Sequence, residues 1–114
     1  MKFMLLLTDV AGDWDQLSAA RQEQILQQHV AVQRELEAQG KFASTQRLRP
    51  SAEAKTVRLL PDGKVVVTDG PYIETREAIG GYYIIECAAM DEAIEWARRL
   101  RFIPGCVEVR AVWE

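Results

Sequence analysis

The chain has one histidine, His29, and its neighbours at helical spacing are apolar: Ile25, Val32 and Leu36 recur on its face. An imidazole there can act as a general base or proton shuttle, because its pKa lies near neutrality. The same position also suits a core histidine that bonds a backbone carbonyl. A catalytic imidazole works best beside a carboxylate that orients the ring, and Asp69 could supply it. Asp69 closes a β-branched run and precedes Gly70-Pro71, which hold the backbone in a bend. Its other employment is local, as the cap of its own loop.

Tyr72, Glu74, Arg76 and Glu77 follow Asp69 closely. Arg76 can hold a carboxylate or phosphate through two parallel N–H bonds. Glu74 and Glu77 are spaced for acid–base work. The same charges can equally neutralise one another on a solvated loop. Gly80-Gly81 permit close approach of a ligand or another backbone, or mark a bulge. On the ligand-binding reading, Tyr72, Glu74, Arg76, Glu77 and Gly81 form the contact set for a small organic acid. Asp9, Asp13 and Asp15 lack the glycine and distal glutamate of a calcium loop, and read as a solvated acidic loop with Trp14 tucked under it. Cys87 and Cys106 form no CxxC pair and have no histidine at metal-ligand spacing. Both read as small buried hydrophobes in a reducing compartment. No phosphate-cradling glycine loop and no nucleophile elbow occurs. Neither a metal nor a cofactor is expected.

These residues need elements to position them. At 114 residues the chain has the length of one domain, read as 1–114. Its apolar share of 48% is enough for a packed core and excludes disorder. The net charge of −3 argues against wrapping nucleic acid. No run approaches the ~20 apolar residues of a membrane helix, and the N-terminal apolar stretch is too short for a signal peptide. A cytoplasmic protein is expected.

Phe3 to Thr8 reads as a strand. Ser18 is a plausible N-cap for a helix ending at Gln39, with Gly40 as its stop. Lys41 to Leu48 is a second strand. Residues 56–68 form a hairpin about Pro61-Asp62-Gly63. Tyr82 to Cys87 is a strand, and Asp91 can N-cap a second helix with Ala93, Ile94, Ala97 and Leu100 or Arg101 inward. Pro104-Gly105 end that helix, and Cys106 to Trp113 is the last strand. Two β-α-β units separated by further strands make a ferredoxin-like α+β sandwich: an antiparallel sheet with both helices on one face. Phe3-Met4-Leu5-Leu6-Leu7 and Tyr82-Tyr83-Ile84-Ile85 are apolar on both sides. The face away from the helices therefore needs a cover, and a second copy in a twofold homodimer is the simplest one.

The stretch Thr68-Asp69-Gly70-Pro71-Tyr72-Ile73-Glu74-Thr75-Arg76-Glu77-Ala78-Ile79-Gly80-Gly81-Tyr82-Tyr83 resembles the signature of the YCII-related family in its DGPF-motif branch. Gly105-Cys106-Val107-Glu108-Val109-Arg110 resembles that branch's closing strand, and the spacing from His29 to Gly40 resembles the wider family. The resemblance covers essentially the whole chain. It implies a dimeric α+β barrel and bacterial cytoplasmic proteins of largely undefined activity. Some members are thought to be enzymes, and this branch often occurs beside extracytoplasmic-function sigma factors. Tyr72 stands where the motif has Phe, and Arg76 where it has Lys. Proteins closest to the family's centre carry an Asp before the proline that matches Pro104, proposed to pair with the helical histidine. Here Phe102-Ile103 precede Pro104, so that pair lacks its acid.

Two functions follow as expectations. One is a small-ligand-binding or regulatory dimer linked to sigma-factor-dependent transcription, with no direct contact to nucleic acid or membrane. The alternative is a cofactor-independent isomerase or hydrolase that uses His29 as general base, oriented by Asp69.

Overall fold

Phe3, Leu5 and Leu7 are buried and Met4 and Leu6 only half-buried, so β1 (Lys2–Val10) alternates although every one of these side chains is apolar. The alternation follows from the strand's two-residue period, which sends successive side chains to opposite faces. The computed structural model describes residues 1–10, 12–72, 77–100 and 104–114.

A one-turn helix α1 (Asp13–Gln16) precedes α2 (Ala19–Ala38). Ser18 caps α2 by accepting the Arg21 N–H at 3.1 Å. Gly40 closes it in the left-handed region, φ 69°, and the Gly40 and Lys41 N–H groups reach back to the Glu37 and Leu36 carbonyls. Ile25, Val32 and Leu36 are buried along α2, with His29 half-buried between them. β2 (Phe42–Arg47) follows, then a 3₁₀ turn at Ser51–Glu53 and the hairpin β3 (Lys55–Leu59) and β4 (Val65–Asp69). The hairpin turn has Gly63 at φ 87° and the Lys64 N–H on Asp62 Oδ1 at 2.9 Å. β5 (Glu77–Glu86), α3 (Met90–Arg99) and β6 (Gly105–Ala111) complete the order.

The main sheet runs β2-β5-β1-β6 with every neighbouring pair antiparallel, and β3-β4 stands apart as a two-stranded sheet. This is a mixed α+β arrangement consistent with a ferredoxin-like sandwich, with the hairpin inserted between its second and third strands. Phe3, Leu5, Leu7, Tyr83 and Ile85 from the sheet meet Val32 and Leu36 of α2 and Ala93, Trp96, Ala97 and Leu100 of α3 in one core. Both helices therefore lie on one face.

Several local expectations change. Trp96 takes the inward place expected for Ile94, which is partly exposed. Positions 93, 96, 97 and 100 keep the i, i+3, i+4, i+7 stripe, whereas 94 is rotated out of it. The N-cap of α3 is Ala89, not Asp91, and Glu92 serves the helix start by accepting the Ala88 N–H at 2.9 Å. The acidic loop is partly ordered: Asp9 belongs to β1, and Asp13 and Asp15 to α1. Cys87 is buried as expected but Cys106 is exposed. In β6, Val107 and Val109 take the core side, so Cys106 pairs with Thr8 in register, its Sγ 2.9 Å from Thr8 Oγ1. Gln28 on α2 has its amide oxygen buried. No helix among the described residues is long and apolar enough to cross a membrane.

Candidate functional site

His29 and Tyr83 meet because α2 lies across β5. The stripe that buries Ile25 and Val32 carries His29 onto the sheet, and the alternation that sends Tyr82 outward sends Tyr83 inward. His29 Nδ1 lies 3.0 Å from the Tyr83 hydroxyl, and the two rings are near parallel with centroids 6.0 Å apart. Thr45 stands opposite Tyr83 in the β2–β5 register. Thr45 Oγ1 in turn donates to the Tyr82 carbonyl at 2.8 Å.

A phenol hydroxyl can donate to His29 Nδ1 or accept from it, so the direction of this bond follows the tautomer of the ring. Burial pushes the Tyr83 phenol up, opposed only in part by the nearby Thr45 hydroxyl, so it stays protonated at neutral pH.

His29, Tyr83 and Thr45 form part of the wall of a cavity of about 620 Å³ between α2, β2 and β5, within the ordinary range for small-molecule sites. Leu7, Ile25, Leu48 and Ile79 supply apolar walls. Among the described residues, Asp9, Asp15, Arg47 and Arg49 are its charged lining residues. The Arg47 guanidinium lies over the Trp14 ring, 4.6 Å from its centroid.

The other sequence-derived residues are dispersed. Asp69 ends β4, pairs with Lys55 and is 87% exposed. It is not among the cavity's lining residues; the residue bonded to His29 Nδ1 is Tyr83. Tyr72 is 71% exposed, with the Arg58 guanidinium 5.3 Å from its ring centroid. Glu77 begins β5, opposite Val10, and is exposed. Glu74 and Arg76 fall outside the described residues. Gly81 lines the cavity, but the close approach it permits is to backbone: a Cβ there would stand 2.9 Å from the Gln46 carbonyl oxygen. Gly80 likewise makes room for Asp9 Oδ2. Burial raises the Cys87 thiol pKa, which makes it a poor nucleophile. Among the described residues no three His, Cys, Asp or Glu side chains converge as metal ligands.

Tyr83, Thr45, Arg47 and Trp14 escaped the sequence reading. The signal for Tyr83 was present: of two adjacent strand tyrosines one must face the helices, and its buried hydroxyl needs a partner. Thr45, Arg47 and Trp14 carry no such mark, since only the fold brings α1 and β2 to one cavity.

Across residues 1–114 the chain matches the family model of the YCII-related domain. It is also similar to an uncharacterized protein of Rhizobium meliloti, 40% identical over 83 residues, which covers 73% of this chain. The match spans 66% of that relative's own length, just under two thirds.

Proposed function

This chain belongs to the YCII-related domain family, and from that premise we propose that its cavity under α2 binds a small organic molecule whose polar group meets His29. The observation that carries the reading is the hydrogen-bonded pair of His29 Nδ1 and the buried Tyr83 hydroxyl on the wall of that cavity. A ring held in place by a buried partner, beside apolar walls, is suited to recognising one polar group in one orientation. The same pair supports a second reading, cofactor-independent proton transfer. His29 would be the base, and Tyr83 would orient the ring as Asp69 was expected to do.

The finer placement in the DGPF-motif branch rests on Asp69-Gly70-Pro71-Tyr72. We propose a homodimer as well, with the outer sheet face covered by a second copy; the half-exposed apolar side chains there support it. Two free thiols suit a cytoplasmic setting.

The test uses the chain's one imidazole, whose NMR signals need no assignment. Small aromatic acids, phenols and amides are added at millimolar concentration. A bound compound is expected to move the His29 ring signals, and His29→Gln to weaken its binding about ten-fold, the order of one hydrogen bond to a polar ligand. If no compound binds, or those that bind leave the ring unmoved, the reading fails.

A further inference from the structure

Arg47 and Arg49, the two described arginines that line the cavity, are held in different ways. Arg49 is engaged, its Nε donating to Glu53 Oε1 at 2.9 Å. Arg47 instead has its guanidinium carbon 4.6 Å from the Trp14 ring centroid, and among the described residues no carboxylate pairs with it. Cation–π attraction to a ring holds a guanidinium in place without using up its N–H donors, which stay available to a planar anion. The platform is itself anchored: the Trp14 carbonyl accepts Gln22 Nε2 at 2.9 Å and the Leu17 N–H at 3.1 Å.

We infer that Arg47, presented by Trp14, is the specificity residue that binds a carboxylate on the ligand, and that the ligand is a monocarboxylic acid with an apolar body. Leu7, Ile25, Leu48 and Ile79 line the space for that body. Asp15 lines the same cavity, so a second negative charge on the ligand meets repulsion. This inference rests on the small-molecule reading of the cavity.

The experiment titrates the full chain calorimetrically with benzoate, its neutral analogue benzamide, and the dianion phthalate. Wild type is expected to bind benzoate about ten-fold more tightly than benzamide, the order of one charge-assisted bidentate contact. Phthalate should bind more weakly than benzoate. Arg47→Met should bring benzoate to the level of benzamide, while Arg49→Met keeps the preference. Arg47→Lys, which keeps the charge but loses the fork, should fall between. If Arg47→Met retains the preference for benzoate, or wild type binds benzamide as tightly, the role of Arg47 is overturned and the cavity reading stands. If none of the three compounds binds, both fall together. Arg47 is exposed, and far-UV circular dichroism of each variant checks that the fold is kept.

Discussion

At the scale of single residues, the site turns on one buried hydrogen bond. Tyr83 is buried and its hydroxyl meets His29 Nδ1. Tyr83→Phe should therefore leave His29 Nδ1 without this partner. The expected cost is about 1 kcal/mol in urea unfolding, the usual worth of one buried hydrogen bond. The sharper readout is the ¹⁵N spectrum of His29. Tyr83→Phe should change the balance between the Nδ1–H and Nε2–H forms of the ring. An unchanged spectrum would mean that the phenol does not set the state of His29. His29 was legible in the sequence because an imidazole inside an apolar stripe is anomalous at any resolution of the argument. Its partner was not, since a phenol 54 positions away becomes a neighbour only when α2 crosses β5.

At the scale of elements, the start of α3 is held by a side chain rather than a cap. Ala89 offers no side-chain acceptor, and Glu92 fills the role by bonding the Ala88 N–H and pairing with Lys41 at the end of the α2–β2 connection. The Lys41 ammonium, and then the Ala88 N–H, hold the Glu92 carboxyl below the ordinary carboxylate range. A carboxyl depressed in the folded state stabilises the fold above its unfolded pKa, about 4.3. That contribution is lost as pH falls through the lower folded value. Glu92→Gln should accordingly lower Tm at pH 7, with the gap to wild type closing below about pH 4 in a thermal melt series. A gap that persists unchanged in acid would assign the effect to lost neutral hydrogen bonds instead. The helix ends show how far local signals reach. Ser18 and Gly40 mark α2 because a hydroxyl acceptor and a left-handed backbone are local needs. Asp91 was a comparable signal and lost, because the chain enters α3 two residues earlier, where Glu92 can reach both its partners.

At the scale of the molecule, α2 and α3 cover one sheet face, and Met4, Leu6, Tyr82 and Ile84 remain half-exposed on the other. The hairpin carries a second apolar surface: Val57 with Val67, and Leu59 with Val65, are opposed pairs each at least 63% exposed. The extents of 49 × 41 × 18 Å describe a flat molecule with little depth for a third layer. Apolar area of this kind is normally covered in solution. The proposed homodimer predicts a mass of twice 12.9 kDa by light scattering at micromolar concentration. Ile84→Lys should shift it to the single-chain value, and Val67→Lys should weaken association more mildly. A wild-type chain that stays monomeric would remove the second copy as the cover of this face.

Periodicity and turn chemistry in the sequence determined the main strands, α2 and α3, and the inward place of His29. Each depends on residues within a few positions of one another, where the spacing of side chains is set by the backbone itself. Only the tertiary structure decided which hydroxyl meets His29, that Arg47 rests on Trp14, and that Gly81 yields to the Gln46 carbonyl rather than to a ligand. Those contacts join segments tens of residues apart. They depend on how α2 crosses the sheet and how β2 registers with β5, which is settled by packing of the whole core.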